Sequence, residues 1–179
     1  GNNMVKKLKA KKLLKSERYA KLELTEDGKQ IAVRLIRKHR LWETFLSKFL
    51  NFSWDEVHEV AEQLEHIKSA KLISELDRFM DFPKKDPHGD IIPSADGDFK
   101  TLEKTTLSSL AEGTSCKLIA VNDGSVEFLK YVSEIGLALS SQIEVVEKRS
   151  FDNSVKIKFD DTVETVSKKF ADNVFVEII

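Results

Sequence analysis

Apolar residues recur at helical spacing through the first half of this chain. Positions three or four apart form one face of a helix, so this spacing predicts three helices between residues 25 and 93. A capping signal precedes each of them: Thr25, the Ser53–Glu56 capping box and Ser69. The predicted helices span residues 25–50, 53–66 and 70–80.

The last third of the chain changes to short β-type runs separated by turns. Asp152 and Asn153 are typical of a hairpin turn, and Gly136 is suited to end a helix that begins at Ser125. We interpret residues 107–179 as a small SH3-like β-barrel, which makes the fold class α+β. Strands are predicted at residues 116–121, 143–148, 155–159 and 174–178.

The first 24 residues combine a basic amphipathic helix with a charged hairpin at residues 14–24. This order is typical of the second half of a winged helix-turn-helix. The first half is not in the sequence, so we expect an N-terminally truncated chain. The predicted domains are a partial winged helix (1–24), a helical domain (25–93), a polar linker (94–106) and the SH3-like domain (107–179).

The net charge of -1 hides an uneven distribution. Residues 1–40 hold 13 Lys and Arg against 4 Asp and Glu, a balance of +9, which leaves -10 on the remainder. A basic end on an acidic body suggests contact with a polyanion, usually nucleic acid, but charge alone favours a solvated lysine-rich helix. The sequence has no signal peptide and no apolar run of about 18 residues, so no membrane partner is expected. The single cysteine, Cys116, is consistent with a cytoplasmic protein.

Residues 55–66, DEVHEVAEQLEH, carry the strongest chemical signal. On one helix, His58, Glu62 and His66 stand four residues apart and share a stripe with Glu65. Imidazole and carboxylate ligands together suit manganese, iron or zinc. The H-E-x-x-H pattern of zinc hydrolases fails because position 62 is Glu, so we expect no enzyme.

Two further segments place imidazole beside carboxylate. His39 stands four residues before Glu43, and a rigid proline separates Asp86 from His88. A single pair of this kind is more often a surface ion pair, but here all four histidines of the chain have such a neighbour. Ligation without sulfur favours Mn²⁺, while Fe²⁺ or Zn²⁺ could also bind in vitro.

Three ordered blocks, IRKHRLWE, DEVHEVAEQLEH and DPHGDIIP, closely resemble the diphtheria toxin repressor family of metal-dependent transcriptional repressors. The resemblance covers essentially the whole chain. It implies that the helical domain binds metal and forms a homodimer, and that the protein represses metal-uptake genes by binding operator DNA. Glu62 stands where the iron-responsive branch has a cysteine, so this chain resembles the manganese-responsive branch.

The family's ligands can be carried onto matching positions. The resemblance implies a primary site of His39, Glu62, Glu65 and His66, which in the family is completed by a carboxylate from a preceding helix. A second site would use Glu43, Asp86, His88 and Asp123, and the iron branch has an ancillary site matching His39, Glu43 and His58. Glu43 belongs to both versions, whereas Asp123 also fits a simple Asn-Asp-Gly turn.

DNA contact would be made mainly to phosphate. The residues expected to make it are Lys6, Lys7, Lys9, Lys11 and the hairpin residues Ser16 and Arg18. Two alternatives stay open: a metal-binding dimerisation or sensor fragment that does not bind DNA, and an iron-responsive member of the same family.

Overall fold

The helices occupy the first half of the chain and the main sheet occupies the last third, as the apolar spacing predicted. The computed structural model describes residues 2–15, 22–100 and 103–179. The helices are α1 (Asn2–Ala10), α2 (Glu26–Leu50), α3 (Val57–Leu64), α4 (Ala70–Phe79), α5 (Val126–Glu134) and α6 (Lys168–Asp172), with a 3₁₀ turn at Leu107–Ser109. The strands are β1 (Leu14–Lys15), β2 (Glu23–Leu24), β3 (Thr105–Thr106), β4 (Ser115–Val121), β5 (Gln142–Lys148), β6 (Val155–Phe159), β7 (Thr162–Val166) and β8 (Val174–Ile178).

The long helix α2 begins where the sequence predicted. The Thr25 hydroxyl accepts the Gly28 N–H at 3.1 Å, and the helix ends at Asn51, whose positive φ of 58° reverses the chain. Gly28 is buried, and a Cβ there would lie 2.4 Å from the Leu13 carbonyl oxygen. The glycine therefore lets the segment before β1 pack closely against α2.

The predicted start and end of the second helix need correction. The Ser53 N–H and hydroxyl both donate to the Glu56 carboxylate, at 2.9 and 2.8 Å, so this hydroxyl does not cap the helix. Residues 54–56 form a turn, and α3 begins only at Val57. Because α3 ends at Leu64, Glu65 and His66 lie beyond it, and the stripe from His58 to His66 is not one continuous helix face.

The three middle helices share one apolar core, in which α2 packs against both α3 and α4. Ser69 caps α4 as predicted, since its hydroxyl accepts the Leu72 N–H at 3.2 Å. The buried apolar residues of this core are Leu41, Trp42, Leu46, Val57, Ala61, Ile73, Leu76, Met80 and Ile92.

The main sheet is antiparallel, with strand order β3-β8-β4-β5-β6-β7. It confirms the α+β class and contains strands at all four predicted positions, with Asn153 in the left-handed turn between β5 and β6. The sequence missed β7, which is partly exposed, and α6. Near the N-terminus β1 pairs with β2, while the predicted turn between them lies outside the described residues.

The loop at residues 84–93 lies between the helical core and the sheet. The Val121 N–H donates to the His88 carbonyl at 2.9 Å, and Gly89 (φ +90°) sits against the backbone of Ile119 and Ala120. A Cβ at Gly89 would lie 2.1 Å from the Ile119 oxygen, so glycine permits this close approach. Within the described part of the chain, no helix is both long and apolar enough to cross a membrane.

Candidate metal centre

The first ligand-type cluster joins α2 to α3. His39 and Glu43 lie one helical turn apart on α2, and His39 Nε2 is 2.9 Å from Glu43 Oε1. His58 on α3 places Nδ1 3.1 Å from His39 Nε2 and 3.4 Å from the same Glu43 oxygen. Three ligand-type atoms from two helices thus converge within 4.8 Å.

Glu65 holds the other side of the His39 ring. Its Oε2 lies 2.7 Å from His39 Nδ1. If Nδ1 carries the proton of the neutral ring, Nε2 is the unprotonated nitrogen, and it faces Glu43 and His58. Glu62 is exposed and 3.8 Å from His58 Nε2, and His66 is exposed. Of the residues predicted for the primary site, the structure therefore brings His39 into contact with Glu65. Glu62 lies beside His58 instead.

An Asx-type turn builds the second cluster. Asp86 Oδ1 accepts the backbone N–H groups of His88 and Asp90, both at 2.9 Å, which folds the loop tightly. Its second oxygen, Oδ2, is buried without a hydrogen-bond partner and lies 3.4 Å from Arg40 Nε. The three residues are all buried, and their ligand-type atoms also lie within 4.8 Å of one another.

The facing atoms of this second cluster lack hydrogen-bond partners. Among the described residues, the buried unpartnered side-chain atoms include Glu43 Oε2, Asp86 Oδ2 and His88 Nδ1. His88 Nδ1 and Glu43 Oε2 are 3.7 Å apart, too far for a hydrogen bond. Buried polar atoms are nearly always satisfied, so three that converge fit a divalent cation that would bind all of them.

Burial and mutual charge perturb the pKa values of this cluster. Burial would raise the pKa of Glu43, but the neighbouring His39 and His88 hold it down at about 2. Burial would lower the pKa of His88, yet the Glu43 carboxylate raises it to about 9. Burial and the charge of Glu43 together raise the pKa of Asp86 to about 6. Near neutral pH and without metal, the raised pKa of His88 therefore keeps a proton on its ring that a cation would displace.

Two arginines that the sequence did not single out hold the loop on α2. Arg40 donates to the Ile91 carbonyl at 2.5 Å and to Asp90 at 3.1 Å, and its Nε is 3.4 Å from Asp86 Oδ2. Arg37 donates to the Pro93 carbonyl at 2.6 Å. The spacing of the two arginines on α2 is only a weak sequence signal for this role, because their partners lie in a loop about 50 residues further along the chain.

Among the described residues, Asp123 is not part of the cluster formed by Glu43, Asp86 and His88. It lines an open cavity of about 260 Å³ together with His39, His58, Glu62 and Glu65. Lys6, Lys7, Lys9 and Lys11 are exposed on and just after α1, whereas Ser16 and Arg18 lie outside the described residues.

Profiles of two families match consecutive parts of the chain. "Iron dependent repressor, metal binding and dimerisation domain" matches residues 25–94, and "FeoA domain" matches residues 105–178. The two clusters draw their ligands from the first of these, and the loop at residues 84–93 packs on the second. Fold and site together define a metal-binding regulator with an SH3-like domain.

Similar proteins extend this assignment. A solved "Manganese-dependent transcriptional repressor complex with manganese" is 32% identical, with a TM-score of 0.91, and the match covers 99% of this chain and 83% of that one. The iron-dependent repressor IdeR of Mycobacterium bovis is 39% identical over 72 residues, which are 40% of this chain and 31% of IdeR. A "Probable metal transport system membrane protein" of Chlamydia trachomatis is 43% identical over 70 residues, 39% of this chain and 16% of that protein.

The chain belongs to the diphtheria toxin repressor family of metal-dependent transcriptional repressors, which confirms the resemblance seen in the sequence. This is a family of repressors and not of enzymes. The match spans less than a third of the length of the two curated relatives named above.

Proposed function

We propose that this protein is a manganese-responsive, DNA-binding repressor that acts as a cytoplasmic homodimer and controls metal-ion uptake genes. The observation that carries the proposal is the buried cluster of Glu43, Asp86 and His88, in which Glu43 Oε2 and His88 Nδ1 face each other without hydrogen-bond partners. A divalent cation bound there would join α2 to the loop at residues 84–93. A cation bound by His39, Glu43 and His58 would join α2 to α3.

Glu43 connects these two positions. Its Oε1 faces His39 and His58, and its Oε2 faces His88. The Glu43 carboxylate can therefore bridge two adjacent ions. Binding of one ion can also change the affinity of the other position, because both share this carboxylate. Such a cross-link stabilises one arrangement of the helices and the loop. The cation shifts the protein toward that arrangement to the extent that it binds this arrangement more tightly than the alternative.

The chemistry of the donors supports Mn²⁺. The candidate ligands offer carboxylate oxygen and imidazole nitrogen, and the sequence's only cysteine, Cys116, is buried in the SH3-like core. Hard oxygen donors suit manganese, while the general affinity order lets zinc compete in vitro. The solved relative with bound manganese supports the same choice. Fe²⁺ is the alternative that the relationship to IdeR keeps open.

We keep the primary site of His39, Glu62, Glu65 and His66 as part of the proposal. The contact of His39 with Glu65 and the shared cavity beside Glu62 support it. In the family that the chain resembles, one further carboxylate completes this site. Calorimetric titration with Mn²⁺ checks this site. If Glu65→Ala and His66→Ala left manganese affinity unchanged, these residues would not be ligands and the proposed primary site would be contradicted.

A second copy of the chain is the proposed partner of an exposed aromatic surface on the helical domain. The rings of Phe49 and Phe79 are in tilted contact, with 4.9 Å between their centroids, yet both are about half exposed or more. Leu50 and Phe82, which lie close to them in the sequence, are also about half exposed. An apolar patch of this kind marks an interaction site, and the family description names this domain a dimerisation domain.

DNA is the proposed partner of the lysines on α1. A dimer presents two such helices, which matches the two spaced half-sites of a repressor operator. The test is to select genomic DNA fragments with the full-length protein, with and without Mn²⁺, across a salt series. Selection that depends on Mn²⁺ and weakens with salt supports the proposal. Equal selection in both conditions contradicts metal gating, and no selection leaves the metal-binding dimer as the better description.

A further inference from the structure

Trp54 connects the candidate metal ligand His88 to the SH3-like domain. Its backbone carbonyl oxygen lies 2.7 Å from His88 Nε2, and the two rings stack with an interplanar angle of 14°. Its indole N–H donates to the Ser133 hydroxyl on α5 at 2.8 Å. Trp54 also packs against the apolar core of the SH3-like domain, although it precedes α3 in the helical domain.

The contact with the Trp54 carbonyl decides which His88 nitrogen faces the cluster. A carbonyl oxygen only accepts, so His88 Nε2 carries the proton and donates it. The other nitrogen, Nδ1, is then the one directed at Glu43 and Asp86, where it is buried without a hydrogen-bond partner. Histidines that bind metals are commonly oriented in this way by a backbone carbonyl on their second nitrogen.

We infer that Trp54 is a positioning residue that couples cation binding at the Glu43–Asp86–His88 cluster to docking of the SH3-like domain on the helical domain. This inference rests on the proposed function, because it needs a cation at that cluster. When the SH3-like domain docks, the bond from Trp54 to Ser133 holds the Trp54 carbonyl against His88. In the other direction, a cation bound to His88 Nδ1 holds the His88 ring against the Trp54 carbonyl.

Coupling of this kind is reciprocal. If a cation strengthens docking by some factor, loss of docking must weaken cation affinity by the same factor. The bond from Trp54 to Ser133 can be removed without touching a ligand, since neither side chain belongs to the cluster. Ser133→Ala removes the acceptor at an exposed position, and Ser133→Thr keeps a hydroxyl and is the matched control.

The experiment titrates the protein with Cd²⁺, a diamagnetic probe, and follows affinity by calorimetry and the two indole N–H resonances by NMR. Trp42→Phe and Trp54→Phe assign the two resonances. Cd²⁺ should shift the Trp54 indole in the wild type. Ser133→Ala should weaken Cd²⁺ binding about five-fold, the effect of one net hydrogen bond, and Ser133→Thr should restore it.

The outcomes separate the coupling from the metal site itself. His88→Ala removes a proposed ligand and should weaken Cd²⁺ binding far more than Ser133→Ala. If His88→Ala has this effect while Ser133→Ala and a folded Trp54→Phe bind Cd²⁺ like the wild type, the coupling is refuted and the site stands. If the wild type does not bind Cd²⁺, or His88→Ala has no effect, both the site and the coupling are refuted.

Discussion

Glu43 Oε2 and His88 Nδ1 face each other at 3.7 Å in a fully buried position, and neither atom has a hydrogen-bond partner. The two residues are 45 positions apart, and the loop at residues 84–93 brings them together. The distance is too long for a hydrogen bond and leaves room for a cation between two ligands. The Glu43–His88 pair therefore provides the most direct test of metal binding.

Replacement of Glu43 should affect both clusters. Glu43→Gln keeps the size of the side chain but removes its charge, so Mn²⁺ affinity should fall by at least about 100-fold, beyond the effect of losing an outer-shell partner. Isothermal titration calorimetry measures this. The control is Asp77→Asn, a buried carboxylate that pairs with Arg37 at 2.5 Å outside both clusters. An equal loss in both variants would show a general packing effect and not ligation.

The stability of the metal-free protein should fall with rising pH between about 6.5 and 9. The pKa of His88 is raised from 6.5 to about 9 in the folded state, so its stabilising effect is complete below pH 6.5 and is lost as pH passes 9. A difference of one pKa unit between the folded and unfolded states corresponds to about 1.4 kcal/mol of unfolding free energy. Urea unfolding in the presence of a chelator measures this, and His88→Gln should flatten the decline.

Below this range the two carboxylates act in opposite directions. The pKa of Asp86 is raised to about 6, so its protonated form stabilises the fold most below pH 3.8 and this effect is lost as pH rises through 6. The pKa of Glu43 is lowered to about 2, so its contribution is complete above pH 4.5 and is lost as pH falls toward 2. A pH-independent unfolding free energy from pH 4.5 to 9 would contradict the assignments of Asp86 and His88, and one from pH 2 to 4.5 would contradict that of Glu43.

A thiolate at position 86 should change the preferred metal. Asp86→Cys replaces a hard oxygen with soft sulfur, so affinity for Mn²⁺ should fall while affinity for Zn²⁺ rises, and their ratio should change by roughly ten-fold or more. Competition titrations with both metals measure the ratio. Cys116 provides an internal control, since burial raises its pKa to about 11 and the wild-type protein carries it too. An unchanged ratio would place Asp86 outside the coordination sphere.

A charge in the aromatic surface should separate the proposed homodimer. Phe79 is 65% exposed, so Phe79→Asp leaves the fold intact but places a carboxylate against the second copy. Sedimentation equilibrium should then show a dissociation constant at least about 100-fold weaker, as expected for a central aromatic residue of an interface. The matched control is Phe151→Asp, because Phe151 is 98% exposed in the turn between β5 and β6. Equal effects of both changes would remove this surface from the proposal.

Sequence alone predicted most of the helices and strands and the chemical types of the candidate site, although it missed β7 and α6. Caps such as Thr25 and Ser69 act on neighbouring backbone groups, so their effect is local and the helices could be predicted from them. The four-residue spacing of His39 and Glu43 likewise sets their contact on one helix. At the start of α3 this local argument was wrong, because the Ser53 hydroxyl donates to Glu56 and does not cap the helix.

Only the tertiary structure decided which ligand-type residues meet. His39 has carboxylates on both sides, Glu43 on its own helix and Glu65 beyond the end of α3, and spacing along the chain cannot show that both are in reach. The contact of Glu43 with His88 depends on a loop that Arg40 and the SH3-like domain hold in place. Such contacts arise from packing between distant segments. The sequence therefore determined the chemistry of the ligands, and the fold determined their partners.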